Sequence, residues 1–398
     1  MMVVTKIPFT WPIGFNASAV HAQLRHNPTK PDLGWIVSRV PASAAGVYTR
    51  NQFQAAPVQL TKATINAGHQ LQAVLANSAN ANSFTGAQGD ANAAATQQLV
   101  ATKLGIDANL VGVASTGIIG HQLAMDKMTV GIQALQLKGT EAFEEAILTT
   151  DTHTKTVSVQ FEIGGTVCTM SGVAKGSGMI HPNMGTMLCF ITMDAAIGGD
   201  QLQAALSAHV DTTFNQITVD GDTSTNDMVI VLANGESGAP AVTSGANLDI
   251  FNDALHQVMQ AMAQAIAGDG EGATKFLEAN VTGAATASDA RMAAKAVIGS
   301  NLVKAAMFGQ DPNWGRIIDA LGNTNVTLDA AQLSVAINGV HMVENGVATT
   351  LNPPLVQQAM SPKTIVMTID LGVGDAQGQA WGADLTYEYV HINSAYTS

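Results

Sequence analysis

A run of alternating residues around two adjacent glycines is the sequence feature that most limits how this chain can fold. From residue 156 to residue 163 polar side chains alternate with apolar ones, as in a strand with one buried face. Gly164-Gly165 follows and can adopt the positive φ angles of a two-residue hairpin turn. The segment 156–173 therefore predicts a β-hairpin.

Two further regions carry the same kind of signal. The segment 333–343 contains Asn338-Gly339, a dipeptide typical of tight hairpin turns. Residues 363–373 and 380–392 predict another antiparallel pair. One face of the first of these two strands would carry Ile365, Met367, Ile369 and Leu371.

Helical periodicity is clearest at residues 247–267, where an apolar stripe ends before a glycine that can stop a helix. A second helix is predicted from Ser288, a favourable N-cap residue, to Met307. Shorter helices are predicted at 91–104 and 140–148. Hairpins beside surface helices predict an α+β layered sandwich. Because 398 residues exceed one ordinary core, we expect two or more subdomains.

The charge balance limits the possible partners. Acidic residues outnumber basic ones by 30 to 17, which gives a formal net charge of −13. This argues against binding to nucleic acid or to an anionic membrane surface. No window of 18 apolar residues occurs, and the N-terminus lacks the apolar segment of a signal peptide. Cys168 and Cys189 lie in apolar runs and form no disulfide framework, so we expect a cytoplasmic protein.

Two motifs are similar to binding loops but lack the required spacing. In GDGEGATK (268–275) two residues separate the last glycine from the lysine, unlike in a phosphate loop. We expect a turn there, with Glu271 at its tip. DGDTSTND (220–227) lacks the spacing of a calcium loop, so its side chains are expected to cap their own loop. The histidines show no paired spacing, so no metal site is predicted, and His181 is interpreted as structural.

The step Gly185-Thr186 suggests a different chemistry. A loop with several turn residues leads into Thr186, and an apolar run that predicts a buried strand follows at once. A threonine hydroxyl is a weak nucleophile, but a threonine at the start of a chain can use its own α-amino group as the base. The hydroxyl could attack the preceding carbonyl, and hydrolysis of the resulting ester would release Thr186 as a new N-terminus. The sequence also allows an ordinary turn before a strand.

Several blocks, in order along nearly the whole chain, carry a resemblance to a known family. They are ASAAGVYTRNQFQAAPV (42–58), NSANANSFTGAQG (77–89), STGIIG (115–120), ILTTDT (147–152), KGSGMIHPNMGTML (175–188), DGDTSTND, GDGEGATK, DPNWGRI (311–317) and INSAYTS (392–398). Together they resemble the ornithine acetyltransferase family, the glutamate N-acetyltransferases of arginine biosynthesis. The segment 175–188 is similar to the cleavage and nucleophile motif of that family.

The resemblance implies a self-cleaving enzyme with a site like that of N-terminal-nucleophile proteins. Cleavage would give an alpha chain, residues 1–185, and a beta chain, residues 186–398, which stay together, commonly as α2β2. Thr186 would take the acetyl group from N2-acetylornithine, release ornithine, and pass the acetyl group to glutamate in a ping-pong reaction. No cofactor is implied, although some members of the family also accept acetyl-CoA as a co-substrate.

The resemblance also implies roles for individual residues. Thr116 and Gly117 in STGIIG match the oxyanion hole of the family. The matched substrate contacts are Thr149, Lys175, Thr186, Glu271, Asn393 and Ser398. The sequence departs from the family pattern at Gly185, where Ala is common, and at Ala79 and Phe84, where Gly and Cys are more usual. We interpret the last two as packing changes away from the site.

Two alternatives remain open at this point. An N-terminal-nucleophile amidohydrolase or aminopeptidase would process at Thr186 and pass its acyl group to water. An unprocessed binding protein of the same fold would remain one chain. The acceptor of the acyl group separates the transferase from the hydrolase, and processing separates both from the binding protein.

Overall fold

A computed structural model describes residues 4–137, 142–181 and 187–395. The strands, in chain order, are β1 Thr5–Ile7, β2 Phe15–Val20, β3 Leu33–Tyr48, β4 Gln70–Asn77, β5 Val111–Ser115, β6 Lys155–Ile163, β7 Thr166–Lys175, β8 Leu188–Met193, β9 Ile217–Thr218, β10 Met228–Ala233, β11 Phe276–Ala284, β12 Ser334–Ile337, β13 Val340–Glu344, β14 Val347–Ala348, β15 Thr364–Asp370 and β16 Ala376–Ala383. The helices are α1 Ala56–Gly68, α2 Gly86–Leu104, α3 Met125–Ala134, α4 Phe143–Ala146, α5 Gly199–Val210, α6 Gly245–Gly268, α7 Ala287–Gly299, α8 Asn301–Phe308, α9 Gly315–Gly322, α10 Pro353–Met360 and α11 Tyr387–Ala395. Short 3₁₀ turns lie at Ala108–Leu110 and Phe214–Gln216.

The described strands form two mixed sheets, which confirms an α+β layered architecture. The first sheet has the order β1-β6-β7-β8-β10-β3-β4-β5, with β2 paired to β3. The second has the order β14-β13-β12-β15-β11-β16-β9. Antiparallel pairs dominate both sheets, while β8 and β10, for example, run parallel. Parallel neighbours need a crossover connection, and helix α5 lies in the connection between these two strands.

Separate cores accompany the two sheets, as expected for a chain of this length. The first sheet buries apolar side chains on both faces, and α6 packs against β7, where Val258 and Met262 approach Gly172. The second sheet buries a core of its own under helices α7, α8, α9 and α10. Trp381 of β16 belongs to the first core. The two subdomains are therefore in contact through this side chain.

The two predicted hairpins are confirmed. Strands β6 and β7 pair in unbroken antiparallel register from Lys155↔Ala174 to Ile163↔Thr166. The turn glycines Gly164 and Gly165 have φ angles of 58° and 85°, a conformation that costs glycine little. Strands β12 and β13 also pair antiparallel around Asn338-Gly339, with a register shift between Val335 and Ala336.

The predicted pairing of 363–373 with 380–392 is wrong. Strand β11 lies between β15 and β16, parallel to the first and antiparallel to the second. Alternation identifies a strand and its buried face, and Ile365, Met367, Ile369 and Leu371 are indeed all buried. It does not identify the partner strand, which here comes from a segment about 90 residues earlier in the chain. Residues 387–395 form helix α11 instead of a strand.

The single helix predicted from Ser288 to Met307 is two helices. The break falls at Ser300, whose hydroxyl accepts a hydrogen bond from Val303 N and so caps the start of α8. Thr286, and not Ser288, caps the start of α7. A serine inside an apolar stripe leaves the helical spacing of the apolar residues unchanged, so the spacing predicts one continuous helix. The serine side chain can nevertheless accept a hydrogen bond from a backbone N–H group and start a new helix.

The buried strand predicted after Thr186 is confirmed as β8, in which all six residues are buried. It lies between β7 and β10 in the middle of the first sheet. Cys189 on this strand and Cys168 on β7 are buried free thiols, as expected. Burial raises the pKa of both thiols, which makes them poor nucleophiles.

Candidate active site

A cavity of about 150 Å³ opens at the ends of β5, β7 and β8. Its lining includes six residues that the resemblance assigned to the site: Thr116, Gly117, Thr149, Lys175, Glu271 and Asn393. These residues come from five separate segments of the chain, which only the fold brings together. Met187, the residue that follows Thr186 in the sequence, also lines the cavity. The predicted site residues Gly185, Thr186 and Ser398 lie outside the described residues.

Thr116 and Gly117 follow the C-terminal end of β5. Thr116 N donates a hydrogen bond of 3.0 Å to Asn77 O on the neighbouring strand β4. Gly117 has φ of 135°, and a Cβ atom there would lie 2.2 Å from the carbonyl carbon of Ala79. Only glycine allows the two backbones to approach so closely. The STG motif therefore has a structural reason for its glycine as well as a place on the cavity wall.

The interpretation of Ala79 as a packing change away from the site is wrong. Ala79 touches the Gly117 turn, and its own φ of 77° lies in the left-handed region. A glycine would adopt that conformation without strain. Phe84 also has a positive φ, of 57°, and its exposed ring packs edge-on against Phe53. Ala79 therefore concerns backbone conformation beside the cavity, whereas Phe84 lies on the surface against Phe53, and neither belongs to the core.

Thr149 and Lys175 converge on one carboxylate. Thr149 N donates a 3.1 Å hydrogen bond to Asp151 Oδ2, and Lys175 Nζ lies 4.0 Å from the same oxygen. Lys175 is the last residue of β7 and is buried, although a lone lysine is usually exposed to solvent. Its cross-strand neighbour is Leu188, the first residue of β8. The lysine therefore lies at the point where β8 begins.

Glu271 and Asn393, which both line the cavity, are hydrogen-bonded to each other. Glu271 lies in the turn after α6, as expected, but it is buried, with 7% of its surface exposed. Its backbone N–H donates to Ser177 O at 3.0 Å, which joins this turn to the loop after β7. Asn393 Nδ2, on α11, donates a 2.7 Å hydrogen bond to Glu271 Oε2. The C-terminal segment is therefore docked at the site, as a helix and not as the predicted strand.

A buried ion network lies behind the cavity wall. Lys155 Nζ lies 2.7 Å from Asp151 Oδ1 and 2.5 Å from Asp269 Oδ2. Burial alone would raise the pKa of Asp151, but the charges of Lys175 and Lys155 and the hydrogen bonds from Lys155 and Gly176 N lower it to about 2. Asp151 is therefore ionised at neutral pH. Asp151, Lys155 and Asp269 are not among the site residues that the resemblance implies.

The DGDTSTND loop closes the cavity from another side, and its side chains do more than cap their own loop. Asp220 accepts hydrogen bonds from Met179 N at 2.6 Å and from Ile180 N at 2.8 Å, as well as from Asp222 N. Asn226 lines the cavity and donates to Ser115 O and Ala81 O. This loop therefore holds the segment before the Gly185-Thr186 step and braces the end of β5.

His181 contacts the same loop, because its backbone carbonyl accepts a hydrogen bond from the Thr223 hydroxyl. Its Nδ1 lies 3.0 Å from the Thr218 hydroxyl, as expected for a structural histidine. Burial and the charge of Lys295 lower its pKa to about 4, against a smaller opposite effect of Asp220. The ring is therefore neutral at physiological pH. Within the described ranges, no group of three or more His, Cys, Asp and Glu side chains is placed to hold a metal ion.

The sequence matches known proteins over nearly its whole length. The sequence profile described as the ArgJ family covers residues 16–398. The chain belongs to the ArgJ family. The "Arginine biosynthesis bifunctional protein ArgJ" of Lactiplantibacillus plantarum is 54% identical over 98% of this chain and 97% of its own. The protein of the same name from Oceanobacillus iheyensis is 53% identical over 97% of this chain and 95% of its own.

A solved structure agrees with this membership. The crystal structure of "Arginine biosynthesis bifunctional protein argJ" from Bacillus halodurans is 43% identical, with a TM-score of 0.52. The match covers 53% of this chain and 100% of the solved chain. ArgJ membership confirms the predicted family and, with it, the predicted enzyme class, an acyltransferase of arginine biosynthesis. In the part of the chain that the structure describes, no helix is both long and apolar enough to cross a membrane.

The residues that sequence reasoning missed had little signal of their own. Asp151 and Asp269 lie inside or beside the quoted blocks ILTTDT and GDGEGATK, so the resemblance could have drawn attention to them. Lys155 lies outside every quoted block, at the first position of a strand whose alternation was read only for its apolar face. Its proximity to both carboxylates depends on the sheet.

Proposed function

We propose that this chain transfers the acetyl group of N2-acetylornithine to glutamate through an acetyl-threonyl intermediate at Thr186. The observation that carries the proposal is the single small cavity that collects Thr116, Gly117, Lys175 and Glu271 beside the start of β8. The cationic Lys175 and the anionic Glu271 in the lining of one cavity fit a substrate that carries both an amino group and a carboxylate. The names of the relatives, which refer to arginine biosynthesis, support the same pathway.

In the first half-reaction, the Thr186 hydroxyl attacks the acetyl carbonyl carbon while the α-amino group of Thr186 accepts the hydroxyl proton. The negative charge that develops on the carbonyl oxygen is stabilised by the Thr116 hydroxyl and the Gly117 N–H. Such donors are typically worth ~3–4 kcal/mol each. The bond from the acetyl carbon to the ornithine nitrogen then breaks, the nitrogen takes up the proton, and ornithine leaves.

In the second half-reaction, the neutral α-amino group of glutamate attacks the acetyl ester. The ester bond breaks, the Thr186 hydroxyl is restored, and N-acetylglutamate leaves. Lys175 is a suitable partner for a substrate carboxylate, and Glu271 for the amino end of the side chain of ornithine. An acetyl ester and an acetyl amide are both formed by transfer alone, so the cycle needs no further co-reactant. An α-amino group has a pKa near ~8, which allows it to act as a base close to neutral pH.

Thr186 would also cleave the chain at the bond between Gly185 and Thr186, and would thereby become the first residue of the second fragment. The sheet order supports a stable two-chain product, because β8 and β10 of the C-terminal fragment lie between β7 and β3 of the N-terminal fragment. The length of the solved chain from Bacillus halodurans supports it as well. That chain matches 53% of this one, and residues 186–398 are 213 of 398 residues, about 54%.

The wider setting follows from the family and belongs to the same proposal. We expect a cytoplasmic enzyme in which two copies of each fragment form α2β2. Acetyl-CoA is a second possible acetyl donor for the same threonine, in keeping with the word bifunctional in the names of the relatives. Direct synthesis of N-acetylglutamate from acetyl-CoA and glutamate would demonstrate that activity.

Intact-mass spectrometry under denaturing conditions is the first test. We expect two masses, for Met1–Gly185 and Thr186–Ser398, and one full-length mass for Thr186→Ala. Gly185→Ala, which restores the residue common in the family, should still be cleaved. Two chains in Thr186→Ala would contradict the nucleophile assignment.

The second test distinguishes a transferase from a hydrolase. Purified protein is supplied with N2-acetylornithine, with and without glutamate, and acetate and N-acetylglutamate are measured. A transferase forms N-acetylglutamate in amounts equal to the ornithine released. Acetate release that glutamate does not suppress would favour the amidohydrolase.

A further inference from the structure

We propose that Lys155 is a positioning residue of this site, because its ammonium group joins Asp151 and Asp269 and through them fixes two walls of the cavity. The first wall carries Thr149 and Lys175, and the second carries Glu271. This inference rests on the proposed function, since it concerns Thr149, Lys175 and Glu271 as substrate contacts. It adds a role for three side chains that match none of the assigned positions.

Lys155 lies at an unusual place for a lysine. Its side chain is fully buried, as is that of Asp151, and Asp269 is 3% exposed. Burial of one ammonium between two carboxylates costs much desolvation free energy, and each group is tolerated only because the others are present. The ammonium group therefore determines where both carboxylates lie.

Asp151 connects Lys155 to the first wall. In addition to Lys155 it accepts hydrogen bonds from Thr149 N at 3.1 Å and from Gly176 N at 2.7 Å. Lys175 Nζ lies 4.0 Å from Asp151 Oδ2 and also lines the cavity. One carboxylate thus sets the backbone at Thr149 and the end of β7, and it attracts the ammonium of Lys175.

Asp269 connects Lys155 to the second wall. Its carboxylate accepts hydrogen bonds from Thr152 N and from the Thr152 hydroxyl. Its backbone carbonyl accepts a hydrogen bond of 2.7 Å from the Ser177 hydroxyl. Glu271 is two residues further along the same turn. The turn that carries Glu271 is therefore attached through Lys155 to the strand that carries Lys175.

The charges around Asp151 and Asp269 determine what the loss of Lys155 would do. Asp151 faces Lys155 on β6 and Lys175 at the end of β7, and Asp269 faces Lys155 and, at 3.4 Å, His153. Without Lys155, Lys175 is the remaining cation beside Asp151. We expect its ammonium group to move towards Asp151 and away from the substrate carboxylate, and the pKa of Asp151 to rise.

The experiment compares Lys155→Met with the wild-type two-chain protein. Displacement of about 1 Å at a reacting group can lower the rate by ~100-fold. We expect kcat/KM for N2-acetylornithine to fall about 10- to 100-fold on that basis, mainly through a higher KM. The pH profile of kcat/KM should fall more steeply at its acid end, because Asp151, with a raised pKa, then takes up a proton below the main acidic limb that the α-amino group of Thr186 sets.

Two further variants separate positioning from stability. Asp269→Asn keeps the shape of the side chain but removes its charge, and it should raise the KM even if Lys155→Met does not fold. Lys275→Met is the matched control, because Lys275 is also a buried lysine, and its Nζ donates to Met360 O and Pro362 O beyond the site. It should lower Tm and leave the KM and the pH profile unchanged.

The outcomes are distinct. A lower Tm with wild-type KM and pH profile in both Lys155→Met and Asp269→Asn would show that the network only stabilises the fold, and the positioning role would be wrong. An equal rise of KM in Lys275→Met would also overturn it. Absence of acetyl transfer in the wild-type protein would contradict the proposed function, and the positioning role would fall with it.

Discussion

Asn393 Nδ2 donates a 2.7 Å hydrogen bond to Glu271 Oε2, although 122 residues separate the two in the sequence. The contact brings helix α11 to the cavity wall. Gly272, beside Glu271, has φ of 68° and leaves no room for a Cβ atom, which would lie 2.7 Å from Tyr389 N. The turn after α6 and the C-terminal helix are therefore in close backbone contact as well. Helix α11 is therefore packed against the site through Tyr389 and Asn393.

Asn393→Ala should weaken substrate binding. Glu271 would lose a neutral donor to a charged acceptor, a hydrogen bond worth ~1.5–3 kcal/mol, or about 10- to 100-fold in KM. Steady-state kinetics with N2-acetylornithine measure the change. Ser394→Ala is the matched control, because the Ser394 hydroxyl donates to His391 O on its own helix. Equal KM values in the two variants would show that Asn393 does not contribute to substrate binding.

Thr116→Ala should lower kcat by ~10²–10³-fold, the usual cost of one oxyanion donor. Thr116→Ser keeps the hydroxyl and should retain most of the activity. Since Thr116 is only half-buried, neither change should alter Tm substantially. Wild-type kcat in Thr116→Ala would show that its hydroxyl does not face the developing charge.

Ala79→Gly should stabilise the protein. Ala79 has φ of 77°, and an L-residue in the left-handed region loses ~1 kcal/mol relative to glycine. Part of that gain is offset by the greater entropy of glycine in the unfolded chain, so we expect a net increase of ~0.5 kcal/mol. Thermal unfolding followed by circular dichroism measures it.

Ala81→Gly serves as the control for that prediction. Ala81 is buried and is not among the residues with positive φ. Loss of its methyl group should lower Tm. A lower Tm for Ala79→Gly as well would mean that the left-handed conformation at residue 79 costs nothing.

Asp220→Ala should slow self-cleavage. The carboxylate holds Met179 N and Ile180 N, the segment that precedes the Gly185-Thr186 bond. Looser placement of a reacting group can cost ~100-fold in rate, so we expect maturation to slow by about 10- to 100-fold. A time course of the two fragments after cell-free synthesis measures the rate. Asp222→Ala, at an exposed neighbouring acid, is the control, and equal rates for the two variants would contradict a role for Asp220.

Much of the architecture could be predicted from local pattern. The β6–β7 hairpin and the buried strand β8 follow from side-chain alternation, from turn glycines and from a continuous apolar run, all of which act over a few residues. Two of the incorrect predictions have a common cause. The partner of β15 and the helical state of residues 387–395 depend on contacts with distant segments, and β-branched or aromatic composition is overridden by those contacts.

The site shows the same division. By resemblance, the sequence alone identified six cavity residues and predicted the role of the Gly185-Thr186 step, because a motif is a pattern of residue types along the chain. Only the tertiary structure decided that Lys155 joins Asp151 to Asp269, that Ala79 touches Gly117, and that Asn393 reaches Glu271. Each of these relationships is a distance between segments far apart in the chain. Such distances arise when sheets and helices pack, because burial and charge pairing are satisfied over the whole fold and not within a motif.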